Sequence, residues 1–311
     1  PIPSWVKEGV CLVYKTEVGG RVGAGSESSA VALMGYSIYI VTSIQENKVY
    51  GFRYEILSTM RGEWSINQNF TLLNTPASGF YIHPKLVEQA LRDRALHAQS
   101  GIIVEGGPIG KDLYYFAVTT RTQDEITTTM NQFNSEGIIQ KSTITRKNPN
   151  GAEAGNRVLI GMYNVSLPKG LTLPQIARTS VSYYYSSIIM GMASPMGTTS
   201  FRFIGEEGKI ANYETISNMG YGTSTGRTVG DVYFGPFYIN PTLLRKTPII
   251  SIPQIGFSMN TAGYGQMGGI LVNISISGQP VAQYEFDPNT GLLLNGSFYY
   301  TGNIIYLEVQ K

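Results

Sequence analysis

The chain has 311 residues and a mass of 34.0 kDa, and its formal net charge is only +2. The basic residues are dispersed, which excludes the charged stripe that nucleic-acid binding requires, and no apolar run approaches the roughly 18 residues of a membrane-spanning helix. Only 14% of the residues are charged while Gly and Tyr are frequent, a balance typical of an extracellular β protein.

The first segment favours secretion. The chain begins Pro1-Ile2-Pro3-Ser4-Trp5 without an initiator Met or a leader, as a mature chain does after its signal peptide is removed. We therefore expect a secreted or cell-surface protein. The single cysteine, Cys11, lies in an alternating apolar run and is expected to be a small buried hydrophobe, and one cysteine cannot form an intrachain disulfide.

Strand patterns dominate the rest of the chain. Residues 52–56 and 270–277 alternate apolar and polar side chains, as strands with one buried face do. Further β-branched and aromatic runs lie at residues 37–44, 113–119, 157–165 and 180–185. The predicted fold is mainly β, with antiparallel sandwich or half-barrel units.

One segment has a helical pattern. Pro84 suits a first helical turn, and residues 85–99 follow with Leu86, Val87, Ala90 and Leu91 on one stripe. This short amphipathic helix is expected to pack on a sheet face.

Two elements recur in the same order along the chain. Residues 79–86 return as 236–243, and the turn-containing segment 133–139 returns as 286–293. We therefore predict two divergent repeats, with a first β unit at residues 1–148 and a second at 149–311. The Asn-Pro-Asn-Gly run at residues 148–151 is either the linker between them or a hairpin turn inside one continuous sheet.

These elements carry a resemblance. Pro-Ser-Trp-Val-Lys-Glu-Gly at residues 3–9, the Leu-Val-Tyr run at 12–14, the Phe80 segment and the Thr-Gly-Leu-Leu-Leu hairpin at 290–294 resemble uncharacterised secreted bacterial proteins of two-part β architecture. The resemblance implies a fold and a location, and no activity.

Two short patterns match catalytic motifs without their context. Residues 222–226 read G-x-S-x-G, but a nucleophile elbow needs a histidine later in the chain, and both His83 and His97 precede it. Residues 263–268 read G-x-G-x-x-G, but a predicted strand and not a helix follows. Both are interpreted as glycine-rich loops.

Histidines and carboxylates predict no catalytic, cofactor or metal site. His83 is matched by Asn240 in the repeat, so we expect a side chain that hydrogen-bonds a local turn, and we expect His97 to face water. Neither has a partner at zinc-like spacing. The chain is therefore predicted not to be an enzyme and to need no cofactor.

Two groups of carboxylates have residue types that occur in catalytic or Ca²⁺ sites. The adjacent acids at 124–125 and 206–207 would point to opposite sides of a strand, unlike a glycosidase pair. Glu285, Asp287 and Asn289 have oxygens suited to Ca²⁺, but a hairpin turn explains the same residues.

Surface chemistry suggests several binding roles. Four sequons are candidate N-glycosylation sites, at Asn69, Asn164, Asn273 and Asn295. The tyrosine-rich runs at residues 183–185 and 298–300 predict buried rings with hydroxyls at a sandwich rim, or else a contact surface for sugar, lipid or protein.

We expect a non-enzymatic structural or adhesive protein, a subunit of an extracellular assembly or filament that contacts other copies of itself. The candidate assembly contacts lie near the two ends: Ile2, Trp5, Val6, Ile305 and Leu307. The alternatives are a carrier that holds an apolar ligand or lipid in a curved sheet, and a carbohydrate-binding module for surface glycans.

Overall fold

The structure is a computed structural model that describes residues 2–22, 29–75 and 78–310. The chain forms two antiparallel sheets, of nine and ten strands, which confirms the predicted mainly β fold with two similar halves. The strands of the first sheet are β1 Val10–Val22, β2 Ser29–Gln45, β3 Lys48–Thr59, β4 Trp64–Leu72, β5 Ile102–Gly110, β6 Leu113–Arg121, β7 Ile126–Phe133, β8 Ile139–Asn148 and β9 Gly151–Asn164. Those of the second sheet are β10 Val181–Ile189, β11 Met192–Glu207, β12 Ile210–Met219, β13 Gly222–Gly230, β14 Ile250–Ile252, β15 Phe257–Tyr264, β16 Ile270–Ile276, β17 Gln279–Phe286, β18 Leu293–Tyr300 and β19 Asn303–Val309.

The two sheets have the same strand order. The first runs β4-β3-β2-β1-β9-β8-β7-β6-β5, and the second runs β13-β12-β11-β10-β19-β18-β17-β16-β15-β14. In each half a four-strand meander is followed by a crossover, and the last strand pairs with the first. The short strand β14 is an addition to the second half.

The predicted division at residue 148 does not coincide with the division between the sheets. Asn148 pairs with Gly151 across the β8–β9 hairpin, and the Asn148 side chain accepts a hydrogen bond from the Asn150 N–H at 2.9 Å. The Asn-Pro-Asn-Gly run is therefore a hairpin turn, and the chain passes to the second sheet between Asn164 and Val181.

The predicted helix of residues 85–99 is two helices, α1 Pro84–Arg92 and α2 Arg94–Gln99, separated at Asp93. Val87 is buried in α1, and Leu91 lies against Gly106 of β5, as expected for packing on a sheet. Leu86 is 58% exposed, and α2 has no buried residue. With so little apolar surface buried, tertiary packing does not enforce one continuous helix.

The expected assembly contacts are used inside the chain. Trp5 lies 5.5 Å from Phe80 between ring centroids, and its Nε1 donates a hydrogen bond to the Glu136 carbonyl oxygen at 3.0 Å. Val6 is buried beside it, and Ile2 packs on the same cluster.

At the other end, Ile305 and Leu307 are buried in β19, which pairs on one side with β10 and on the other with β18. The last strand was expected at a free sheet edge. It lies inside the sheet instead, because β19, the last strand of the second half, pairs with β10, the first.

Within the described residues, three apolar clusters hold the fold together. One lies between the halves, where Cys11, Ile40 and Phe52 of the first sheet meet Phe257 and Ile274 of the second. The others cover the opposite face of the first sheet and the inner face of the second sheet around Phe237. Cys11 is completely buried, and burial raises the pKa of its thiol well above the usual range.

Candidate functional site

The second half contains a cavity of about 490 Å³ on the inner face of its sheet. Side chains from β10 to β13 and from β15 to β19 surround it, and the first sheet closes one side through β3 and β4. The crossover segment at residues 234–239 lies at one end. Asn67, Gln68 and Asn69 of β4 line it and are exposed, so the cavity opens to solvent beside β4.

Most of the cavity wall is aromatic or aliphatic. Strand alternation places these side chains on one face, because cross-strand partners such as Val272 and Tyr284 point the same way. The aromatic lining residues are Phe52, Phe70, Tyr183, Tyr185, Phe201, Phe234, Phe237, Tyr238, Tyr284, Phe286, Phe298 and Tyr300.

The polar part of the wall consists of neutral groups. Thr199 and Ser217 face each other across β11 and β12, and their hydroxyl oxygens are 3.0 Å apart. Thr215 and Thr228 extend this hydroxyl wall toward the opening. Among the described residues that line the cavity, none is Asp, Glu, Lys, Arg or His.

The hydroxyls of the four lining tyrosines that are buried or partly buried fall into two groups. Tyr183 donates to the Leu293 carbonyl oxygen at 2.7 Å, and Tyr238 donates to the Asp231 carbonyl oxygen at 2.7 Å. For Tyr185 and Tyr284, no hydrogen bond to another described residue is seen. Burial raises the pKa of Tyr185 to about 12. Burial first, and the neighbouring Tyr185 second, raise the pKa of Tyr284 well above its usual range.

A glycine allows Tyr284 to take its position. Gly296 lies opposite Tyr284 on β18, and a Cβ added at Gly296 would be 2.3 Å from the Tyr284 ring. The Tyr284 ring therefore packs directly against the β18 backbone at Gly296, and it forms part of the cavity wall.

A buried carboxylate supports the end of the cavity. The Asp231 side chain accepts hydrogen bonds from the N–H groups of Tyr233 and Phe234 at 2.8 and 2.9 Å, and from the Ser43 hydroxyl of the first half at 2.6 Å. Burial nevertheless raises the pKa of Asp231 above its usual range. Asp231 thus joins the two halves behind Phe234 and Tyr238.

Other depressions are surface grooves. One of about 580 Å³ adjoins the cavity through Asn69, Phe70 and Thr228, and it is lined by the exposed charged residues Lys48, Glu206 and Arg227. The cavity is the more apolar site, and it is the better candidate for binding a small molecule.

The tyrosine-rich runs divide their side chains between the two faces of their strands. Tyr183 is buried, Tyr184 is 60% exposed on the opposite face of β10, and Tyr185 lines the cavity. Phe298 and Tyr300 of the second run also line it. The alternation along each strand divides the run between the two faces.

The glycine motifs are structural. Residues 222–226 lie within the strand β13, so they do not form a turn from a strand into a helix. The G-x-G-x-x-G loop holds an internal carboxylate: Glu285 accepts hydrogen bonds from the N–H groups of Met267 and Gly269, both at 2.8 Å. The loop amides that would bind a phosphate are therefore already used.

The two residues at the repeated His/Asn position differ. Asn240 donates to the Val232 carbonyl oxygen at 2.7 Å and accepts from the Thr242 N–H at 3.1 Å, as the turn interpretation predicts. His83 makes no side-chain cap hydrogen bond, and its buried Nδ1 has no partner among the described residues, contrary to expectation. His97 in α2 is partly exposed.

The carboxylates considered for catalysis have separate partners. Glu206 pairs with Arg178 at 2.5 Å, and Glu207 pairs with Lys48 at 3.3 Å. Asp287 accepts from the N–H groups of Asn289 and Thr290 in its own turn. Within residues 2–22, 29–75 and 78–310, no cluster of three or more His, Cys, Asp or Glu suited to a metal is found.

The four candidate glycosylation sites differ in exposure. Asn69 and Asn164 are exposed, whereas Asn273 and Asn295 are partly buried. The Asn295 Nδ2 donates to Glu285 at 2.8 Å, and the Asn273 Oδ1 accepts from Gln283 at 2.8 Å. Glycosylation of Asn295 would therefore break a contact of the buried Glu285.

Sequence reasoning missed most of the cavity. Its wall combines Phe52, Tyr185, Met259 and Tyr284, which are far apart in the chain. The alternating sequence pattern predicts strands with one packed face and one wet face. The excess of tyrosine was the available signal, but it does not show which faces meet.

Comparison with known families and with curated proteins finds no match. Several solved structures match, and two of them cover most of the chain as follows. A DUF3598 family protein of unknown function from Nostoc punctiforme has 10% identity and a TM-score of 0.17, with 96% of this chain and 95% of that chain covered. A candidate AttH protein from Nitrosomonas europaea has 8% identity and a TM-score of 0.19, with coverage of 96% and 92%.

Both of these proteins come from bacteria. TM-scores at this level do not establish a shared fold, and nothing about function follows from them. No helix within the described residues is long and apolar enough to cross a membrane.

Proposed function

We propose that this protein binds an apolar small molecule in the cavity of its second half and carries it without catalysing a reaction. The observation that carries the proposal is the cavity itself. At about 490 Å³ it lies in the range of ligand pockets, roughly 300–1,000 Å³, and it combines a largely aromatic wall with a few neutral polar groups.

Exposed apolar side chains at one end of the second sheet support this proposal. Three neighbouring hairpins, β10–β11, β12–β13 and β18–β19, turn at the same end of the second sheet. Met190 is 96% exposed, Tyr221 88% and Tyr300 52%, and Tyr300 also lines the cavity. Exposed apolar surface beside a cavity is typical of sites that exchange apolar ligands.

Binding of a fluorescent apolar probe tests the proposal. N-phenyl-1-naphthylamine should bind the wild type with enhanced fluorescence. Ser217→Trp fills the cavity from its hydroxyl wall and should weaken binding by at least about tenfold, or about 1.4 kcal/mol. Asn218→Trp places the same side chain at the adjacent exposed position of β12 and should bind as the wild type does.

Thermal melting should show that both variants fold. Absence of binding to the wild type, or unchanged binding to a folded Ser217→Trp variant, would contradict the proposal. Two variants on one strand separate loss of the cavity from a general effect of the added tryptophan.

A location outside the cytoplasm remains part of the proposal, on the basis of the low charge content. Native mass spectrometry of protein from the natural source distinguishes the alternative roles. A co-purifying lipid supports the carrier, heterogeneous glycan masses support secretion, and high-mass oligomers would favour a structural subunit instead.

A further inference from the structure

We infer that the ligand of the cavity is an uncharged, largely apolar molecule with one hydroxyl or carbonyl oxygen, which Tyr185 and Tyr284 hold by hydrogen bonds. This inference rests on the proposed binding function and adds the chemical class of the ligand.

The described part of the cavity wall is uncharged. The described lining residues include no acidic or basic side chain. Asp231, the carboxylate behind the end wall, is fully buried and already accepts three hydrogen bonds. Because burial of an unpaired charge is costly, an anionic or cationic ligand would lose its hydration here without gaining a counter-ion.

The four buried or partly buried tyrosines of the wall differ in how their hydroxyls are used. Tyr183 and Tyr238 have their hydroxyls bound to backbone carbonyls, and Thr199 and Ser217 bind each other. The hydroxyls of Tyr185 and Tyr284 have no such contact with a described residue. Both tyrosines line the cavity from neighbouring regions of the inner face.

Both phenols remain protonated at neutral pH, since burial raises the pKa of each. They therefore present O–H donors to the cavity. A hydroxyl or carbonyl oxygen can accept from them without carrying a net charge, and the aromatic wall covers the rest of such a molecule.

A matched ligand pair tests the charge. Retinol and retinoic acid share one skeleton, and at neutral pH the first is neutral while the second is an anion. Each would compete with bound N-phenyl-1-naphthylamine on the full chain. We expect retinol to displace it at a concentration at least about tenfold lower than retinoic acid does.

Matched variants test the donors. Tyr185→Phe and Tyr284→Phe each keep the ring and remove the hydroxyl, and each should weaken retinol binding roughly three- to tenfold. Tyr184→Phe makes the same change on the exposed face of β10 and should leave it unchanged. Thr215→Lys introduces a cation at the wall and should shift the preference toward retinoic acid.

The outcomes separate the two proposals. If the fluorophore binds but retinoic acid competes as well as retinol, or retinol fails to compete, the ligand class is wrong and the carrier proposal stands. If both Phe variants bind retinol as the wild type does, the assignment of Tyr185 and Tyr284 is wrong. If the fluorophore itself does not bind, the carrier proposal and this inference fail together.

Discussion

The backbone N–H of Ile82 donates a hydrogen bond to the carbonyl oxygen of Gly137 at 2.9 Å, and Ile239 donates to Gly291 in the same way at 3.0 Å. Ile82 and Ile239 lie in the first recurring element of the sequence, and Gly137 and Gly291 lie in the second. In each half the crossover segment is thus held against the hairpin that follows it.

Both glycines should be difficult to replace. Gly137 and Gly291 have φ of +79° and +77°, and an added Cβ would lie 2.0 and 1.9 Å from the carbonyl oxygens of Ile82 and Ile239. We expect Gly291→Ala to lower the free energy of unfolding by more than the roughly 1–3 kcal/mol of backbone strain alone. Gly278→Ala, at φ +80° with open space around it, supplies the strain without the collision. Urea unfolding compares them, and equal losses would contradict a role for the close contact.

Asp231 should make stability depend on pH. Burial raises its pKa in the folded state above the unfolded value of about 4, so its stabilising contribution is full below that value and is lost as pH rises through the raised pKa. Relative to Asp231→Asn, the unfolding free energy of the wild type should therefore fall with rising pH, by at most about 1.4 kcal/mol per pH unit. Asn preserves the acceptor for Tyr233 and Phe234. A difference that stays constant or grows between pH 4 and 8 would contradict this assignment.

Removal of the Tyr54 hydroxyl should stabilise the protein, whereas removal of the Tyr39 hydroxyl should destabilise it. Its hydroxyl is buried between the sheets with no partner among the described residues, and burial raises its pKa well above the usual range. Tyr54→Phe should therefore raise the free energy of unfolding, by about 1 kcal/mol. Tyr39→Phe should lower it by a similar amount, because the Tyr39 hydroxyl donates to the Ser78 carbonyl oxygen at 2.8 Å and accepts from Arg157. Denaturant melts of the two variants should move in opposite directions.

Substitution of His83 should change the free energy of unfolding less than substitution of Asn240, its equivalent in the second half. His83→Asn should change stability by less than about 0.5 kcal/mol, because the His83 side chain makes no cap hydrogen bond, and ligand binding should persist, as it should in His97→Ala. Asn240→Ala removes hydrogen bonds to Val232 and Thr242 and should cost about 1–3 kcal/mol. A folded His83→Asn variant that loses function would overturn the view that the histidines are not catalytic.

The amino-terminal segment should stabilise the first half. Trp5 packs on Phe80 and Tyr81, and Val6 is 5% exposed. Trp5→Ala should lower the free energy of unfolding by about 1–3 kcal/mol, less than a fully buried tryptophan would, because Trp5 is only partly buried. Sedimentation should give the same mass for the wild type and for a chain lacking residues 1–6. A loss of oligomers on truncation would restore the assembly role.

Local pattern was sufficient for several strands and for the repeat, but it did not predict the break at Asp93 between α1 and α2. Alternation with period two identifies strands such as β16 because neighbouring side chains of a strand must point to opposite faces. Recurrence of the Phe80 segment as the Phe237 segment revealed two similar halves, since equivalent crossovers need the same apolar anchor. These features are determined within short stretches of chain.

Contacts between distant segments decided the rest. Pattern alone could not distinguish a linker from a hairpin at residues 148–151, because the same turn residues serve both, and only the pairing of β8 with β9 decides it. Likewise β19 became an internal strand only by pairing with β10. The cavity depends most on tertiary structure. Alternation along a strand shows which side chains lie on the same face as Tyr185 or Tyr284. The cavity forms only because β3 and β4 of the first half pack over that face of the second sheet.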